Sequence, residues 1–313
     1  FLQVPYSEVV IAAAVPAVLL FLAVLIQADL VAGRERIPPV PDELIKPARE
    51  VLRAGWFFPL PFIVLITALF AWNMSPAQAA LWASLAVIVL SALFGFRGIR
   101  ISPAALLRAV TQTGTASVEI ILIGAAAGIV IGVLETSGLG FGLTFLLVEF
   151  GRGSLFLLLV LTAVICILLG MGMPTTGIYL LVATLAAPPL IELGVDPMAA
   201  HLFILYFGLM SMISPPVAVA AFAAASIARA APMQTALQAV RIGWPAFTIP
   251  FLFVFSPSLL LRDEPFYSIT ATVTALLGVW LVSAGAIGFL RRHLGAWERA
   301  LFALAGFCLL IPS

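Results

Sequence analysis

The chain has 313 residues, of which 63% are hydrophobic and 9% charged, with a net charge of +1 and a mean hydropathy of +1.21. That balance leaves too little polar surface for a soluble domain, and a net charge so close to zero offers nothing to nucleic acid. Apolar runs of about 20 residues recur along the chain, the length that crosses a hydrocarbon core about 30 Å thick, so the expected class is an all-α, polytopic membrane protein in contact with membrane lipids.

In chain order, spans are expected at 7–28, 55–72, 76–95 and 118–134. Segment 29–54 carries ten charges and the proline-rich IPPVPDELIKP, and reads as an interfacial loop with a short amphipathic helix. RISPAALLRAVTQT, 100–113, reads as a second such piece. Further spans are expected at 244–262 and 266–290, and a partial one at 299–312. Trp56, Trp72 and Trp244 fall at span ends, where interfacial anchors belong. Region 153–230 departs from this pattern. Lys and Arg collect on the cytoplasmic side of a membrane protein. With 29–54 inside and 153–190 crossing an even number of times, 13 Lys and Arg lie inside and 2 outside; a single crossing gives 9 and 6. The charges favour a segment that enters and returns.

The stretch LLGMGMPTTGIYLL, 168–181, is where the turn belongs. The apolar segments before and after it, 155–169 and 177–187, hold 15 and 11 residues, each too short to span. As one helix they would measure about 50 Å, which is too long. A re-entrant hairpin over 153–190 with its tip at Gly170–Thr176 fits both lengths. Gly170 and Gly172 permit backbone angles closed to other residues. Pro174 lacks an N–H, and its ring would clash with the Gly170 carbonyl. A second break, MSMISPPVAVAAF, interrupts the run 198–230 at Pro215 and Pro216, with hydroxyls from Ser211 and Ser214. Gly and Pro often do no more than kink a membrane helix. Two successive breaks, short arms and the charge count together favour a hairpin followed by a broken helix.

Broken helices leave carbonyls bare at one end and N–H groups bare at the other, which is how secondary transporters build mid-membrane sites. The candidate sodium ligands are the carbonyls of Gly170, Met171, Gly172, Met173, Ser211, Ile213 and Ser214, with the hydroxyls of Thr175, Thr176, Ser211 and Ser214. The candidate substrate contacts are Thr175, Thr176 and Gly177 at the start of the second arm, and Pro215, Pro216 and Val217 at the second break. The bare N–H groups around Thr175–Gly177 and Val217–Val219 would face a carboxylate. Segments 5–26 and 232–255 echo each other: each opens with Pro and meets a second Pro followed by Ala. Such an echo is expected of an inverted-topology repeat.

Other polar residues read more simply. Glu119 is expected at an interface, His201 in a structural polar contact rather than a proton relay, and Glu192 and Asp196 in a solvated external turn open to a binding protein. Cys166 and Cys308 read as apolar fillers. Catalysis is not expected: the spans contain no paired Asp and no HExxH, and the chain has two His in all. A passive channel would present pore-lining rings, which a single asymmetric hairpin does not provide.

The motifs LGMGMPTTG, GVDPMAAHLF and SPPVAVAAF together resemble the second half of the large permease subunit of TRAP (tripartite ATP-independent periplasmic) transporters, most closely the TAXI-type fused permeases. AAAGIVIGVLETSGLG and PMQTALQAVRIGWPAF extend the likeness over most of 1–262, and the tail GFLRRHLGAWERALFALAGFCLLIP is similar to the extra C-terminal spans of the fused type. The resemblance implies an ion-transporter-superfamily-like inverted repeat and an elevator-like, sodium-driven importer of small organic anions in a bacterial or archaeal inner membrane. It implies no cofactor beyond the coupling ion, and a TAXI-class extracytoplasmic substrate-binding protein as donor. It places the family's sodium site at Gly170–Thr176 together with the break at Ser211–Val217. The first hairpin, its ion site and the small-subunit portion are expected to precede Phe1. In domain terms, 1–117 reads as the end of the first repeat plus scaffold and arm helices. Residues 118–243 read as the second-repeat transport region and 244–313 as C-terminal spans. The competing reading is a non-transporting structural membrane subunit or fragment.

Overall fold

The computed structural model describes residues 2–41, 43, 45–95, 100–138, 142, 145, 149, 154–173 and 175–311, except for the side chains of 116, 119, 120, 123, 124, 127, 130, 131, 134 and 135. Pro174, Arg97, Arg152 and most of 139–153 lie outside this set, as does the side chain of Glu119. The described residues are helical almost throughout. The elements are α1 (Tyr6–Arg34), α2 (Ala48–Gly55), α3 (Pro59–Phe70), α4 (Pro76–Leu93), α5 (Pro103–Ser137), α6 (Leu155–Gly170) and α7 (Thr175–Glu192). They continue with α8 (Pro197–Met210), α9 (Val219–Ala228), α10 (Pro232–Ile242), α11 (Trp244–Phe255), a 3-10 turn (Pro257–Leu260), α12 (Pro265–Ile287) and α13 (Ala296–Leu310). Among the described residues, five stretches are long and apolar enough to cross a membrane: α1, α4, α7, α10 with α11, and α12; α2 and α3, bent by 62°, can form a sixth. Large apolar side chains such as Phe21, Phe62, Leu81 and Phe266 are exposed, which only lipid makes tolerable over such an area. The chain is a polytopic membrane protein.

The chain divides into two compact units, 3–10 with 38–119, and 11–37 with 120–313. In the first, α3 packs along α4. Ser75 caps α4 reciprocally with Gln78, the Ser75 hydroxyl accepting from the Gln78 N–H and the Gln78 side chain accepting from the Ser75 N–H, so two orphan donors are satisfied at once. Phe57 and Phe94 stack at 5.8 Å beside Trp56.

Helix α5 includes the span expected at 118–134 but corrects the expectation that 100–113 is a separate interfacial piece, for it runs unbroken for 35 residues. The hydroxyls of Thr111, Thr113 and Ser117 each donate to the carbonyl one turn back, at Leu107, Ala109 and Thr113. A polar run that bonds to its own helix need not end it.

In the second unit, α8 is the central element. It packs against α6, α7 and α11. Phe251 on α11 touches Phe203 and Phe207 of α8 and Phe156 of α6, with ring centroids 5.3–5.6 Å apart. Phe203, Ile204, Leu158, Ile178 and Ile249 are buried between these helices. α7 is longer than the 177–187 arm expected, because Pro188 and Pro189 lie inside it. Each removes a helical donor, but Ala187 and Leu190 are buried here, and packing holds the turn together. α11 stops at Phe255, short of the span expected to 262, and the 3-10 turn takes over. Pro16 lies inside α1, whereas its counterpart Pro245 opens a new helix after Gly243.

Helix ends in this unit are tied by side chains. Gln27 of α1, 1% exposed, donates to the carbonyls of Ala23 and Ile242. Arg34 donates to the Ile287 carbonyl, and Arg299 to those of Gly285 and Ala286. These cations satisfy the bare C-terminal end of α12. α12 and α13 pack through glycines: a Cβ on Gly306 would lie 2.8 Å from the Gly278 carbonyl oxygen.

Candidate functional site

α6 ends at Gly170, where the first arm was expected to end. α7 returns from Thr175, and a four-residue turn leads it into α8 at Pro197. Gly208, near the end of α8, sits over Ile178 in the first turn of α7, so α7 and α8 run antiparallel. The C-terminal end of α6 meets the C-terminal end of α8: the Ser211 hydroxyl donates to the Gly170 carbonyl at 2.9 Å and to the Gly208 carbonyl at 2.6 Å. Two helix ends of the same polarity are therefore pressed together, and their partial negative charges add. At about 1.5 Å per residue, α6 and α8 measure roughly 24 and 21 Å, short of a 30 Å core. α7, at roughly 27 Å, comes near it.

The hydrogen-bond ledger marks what stays open. Gly170 O also accepts from the Met173 N–H at 3.4 Å, and Met210 O accepts from Ile213 and Ser214. Among the described residues, the carbonyls of Met171, Gly172, Met173, Ser211 and Ile213 accept no backbone hydrogen bond. Nor do the N–H groups of Thr175, Thr176 and Gly177 find a backbone acceptor among them. Ser214 is 8% exposed and its hydroxyl has no partner among the described residues, a costly state for a buried polar group. Beyond it lie a cis Pro215–Pro216 bond and Ala218 at φ 36°, and the Ala220 N–H reaches back to the Met212 carbonyl. The loop thus closes on itself before α9 starts. No group of three or more His, Cys, Asp or Glu occurs among the described residues. The oxygens available here are carbonyls and hydroxyls, hard and neutral, and they suit a hard monovalent cation better than a transition metal.

The structure separates the expected ligands into two sets. Gly170, Ser211 and Ser214 are buried at the contact between the two breaks, with Met171, Met173 and Ile213 half-buried. Gly172, Thr175, Thr176 and Pro216 are exposed, Gly177 is buried, and Pro215 and Val217 are half-buried. Gly208 was missed by the sequence reading. Its signal was faint: a small residue three positions before Ser211. His201 has the polar contact expected of it, with Nδ1 at 3.0 Å from the Tyr179 hydroxyl. Asp196 is more than a solvated turn residue. It caps α8 by accepting from the Ala199 N–H at 3.0 Å, and it lies 3.9 Å from Arg262.

Comparison with known proteins bears on this arrangement. The family described as the tripartite ATP-independent periplasmic transporter, DctM component, matches residues 1–263, from α1 through the 3-10 turn; α12 and α13 lie beyond the match. The C4-dicarboxylate TRAP transporter large permease protein DctM of Pseudomonas aeruginosa is 23% identical over 248 residues, which cover 79% of this chain and 57% of that protein. The chain therefore spans a little over half the length of the curated relative it matches. Its family match includes the hairpin tip, the second break and the helices that carry them, and the chain belongs to the DctM family of tripartite ATP-independent periplasmic transporter components.

Proposed function

We propose that this chain is part of a secondary active permease that imports small organic anions, carboxylates first among them, on a sodium gradient. It would be a TAXI-type fused permease, the C-terminal portion of a longer protein, working in a bacterial or archaeal inner membrane. A TAXI-class extracytoplasmic binding protein would deliver the substrate, and a small-subunit portion would complete the permease. The observation that carries this reading is the meeting of two helix C-termini at Gly170 and Ser211, with the Ser214 hydroxyl buried beside it and unpartnered among the described residues. Sodium supplies the positive charge that this cluster of oxygens lacks. The N–H groups at the start of α7 offer a carboxylate its complement. The name of the Pseudomonas relative points to C4-dicarboxylates as the first substrates to try.

The test is uptake by the intact permease in liposomes, with its binding protein outside and a sodium gradient imposed. Uptake that follows the sodium gradient supports the reading, and uptake indifferent to sodium removes it. Two variants probe the ligands. Thr175→Val with Thr176→Val should raise the sodium concentration needed for half-maximal uptake about tenfold, the worth of one lost polar contact of about 1.4 kcal/mol. Ser214→Ala should do the same, yet in sodium-free buffer it should stabilise the protein by about 1 kcal/mol, because it removes a buried hydroxyl that lacks a partner. Loss of stability in sodium-free Ser214→Ala protein would mean that the hydroxyl is already satisfied without the ion.

A further inference from the structure

We propose that the groove between α10–α11 and α12–α13 is a binding site for one anionic phospholipid, with its phosphate at Arg241 and Trp244. The cavity has a volume of about 310 Å³. Arg241, Trp244 and Thr248 line one side, and Gly285, Ala303 and Phe307 are on the other. Its room comes from small residues: Gly285 lies directly against the backbone of Arg299 and Ala303, so the helices approach closely there and leave a recess beside them.

The recess lies beside the ends of α10 and α12, where a spanning helix meets the headgroups. α12 ends at Ile287, two residues past Gly285, and the charged turn with Arg291 and Arg292 follows at once. Trp and Arg at a helix end of this kind sit at the membrane interface. The other arginines with partners at this end are committed: Arg34 and Arg299 hold the last carbonyls of α12, and Arg292 pairs with Glu298. Arg241 makes no hydrogen bond or ion pair among the described residues. The Trp244 Nε1–H is buried with no acceptor among the described residues. A guanidinium and an indole N–H, both without partners among the described residues and both lining one cavity, are two donors for a single phosphodiester. Thr248 adds no third, since its hydroxyl already donates to the Trp244 carbonyl.

The rest of the lining selects the kind of lipid. Apart from Arg241, the Trp244 N–H and the committed Thr248 hydroxyl, the side chains of the lining are apolar, which suits an acyl chain and gives a free phosphate ion nothing more. None of the lining residues is acidic, so the ammonium of a choline or ethanolamine headgroup would find no partner and would sit beside Arg241. A glycerol headgroup carries the negative charge alone. The site does not depend on the transport reading.

Delipidated full permease in detergent, titrated with phosphatidylglycerol, phosphatidylcholine or sodium phosphate and read by native mass spectrometry and unfolding temperature, provides the test. Phosphatidylglycerol should be retained as a single adduct at concentrations at least tenfold below those needed for phosphatidylcholine, and phosphate alone should shift nothing. Arg241→Gln should weaken phosphatidylglycerol retention about tenfold, Ala303→Phe should remove it by filling the recess, and Arg229→Gln, outside the groove, should leave it unchanged. Arg241→Lys, which keeps the charge, controls for misfolding and should retain most of the binding. Equal retention by Arg241→Gln and the unaltered protein, equal affinity for phosphatidylcholine, or a full response to phosphate would each overturn the proposal.

Discussion

Gly170→Val should leave the permease inserted in the membrane while cutting sodium-driven uptake between about tenfold and a hundredfold. A Cβ at Gly170 would lie 2.8 Å from the Ser211 hydroxyl oxygen, 3.0 Å from the Ser211 Cβ and 3.0 Å from the Gly208 carbonyl oxygen. Rotating Ser211 relieves only the first of these, because the others involve main chain or an atom fixed to it. The tip of the hairpin must then move away from the end of α8. Overpacking of this kind costs about 1–3 kcal/mol, and about 1.4 kcal/mol is a factor of ten in rate. It also breaks the hydrogen bond from Ser211 to Gly170. The companion variant is Gly172→Ala. Gly172 has φ 80° and nothing within 4 Å of a Cβ, so its cost of about 1–2 kcal/mol is backbone strain alone and displaces no neighbour. Uptake in proteoliposomes, normalised to inserted protein, should fall further for Gly170→Val than for Gly172→Ala. Wild-type uptake by Gly170→Val would mean that the meeting of the two breaks has no part in transport.

The two breaks were legible in the sequence because Gly, Pro and Ser act locally. α6 stops at Gly170 and α8 at Met210, beside the residues that marked the turns. What local chemistry could not convey came from packing across the chain. The second arm was expected over 177–187, yet α7 continues through Pro188 and Pro189 to Glu192, held by burial of the residues around them. Residues 100–113 read as a piece apart from the span at 118–134, yet the hydroxyls of Thr111, Thr113 and Ser117 serve one continuous helix. Gly208 matters because Ile178 lies against it 30 residues away in sequence, and no periodicity announces that. Asp196 looked like a solvated acid because its cap on Ala199 and its approach to Arg262 both depend on how the turn between α7 and α8 is placed. The candidate site follows the same division. Its residues could be named from punctuation, but the partition into buried Ser211 and Ser214 and exposed Thr175 and Thr176 is set by the packing of α8.

Gly306→Leu carries the other large effect, on stability. A Cβ there would lie 2.6 Å from the Val282 Cγ2, 2.8 Å from the Gly278 carbonyl oxygen and 2.8 Å from the Val282 N. Two of these three atoms are backbone, so α12 and α13 must separate. In a membrane, close backbone approach through small residues is most of what joins two helices, because lipid tails are as apolar as leucine. A cost of about 3 kcal/mol, the upper range for overpacking, should lower the unfolding temperature by roughly 6–12 °C at about 2–4 °C per kcal/mol. Gly295→Ala is the control, since its Cβ would meet nothing closer than 3.8 Å. The two helices lie beyond the family match, which ends at residue 263, and neither contributes a residue to the contact between Gly170 and Ser211. Gly306→Leu should therefore abolish phosphatidylglycerol retention in the groove that α12 and α13 help to form, while uptake per folded molecule stays within about twofold of normal, the span of a few tenths of a kcal/mol. An unchanged unfolding temperature would show that the helix pair is held elsewhere than at its glycines. Uptake lost in parallel with the lipid would mean that the appended helices, through the Arg34 tie to Ile287 and the Gln27 tie to Ile242, reach the hairpin after all.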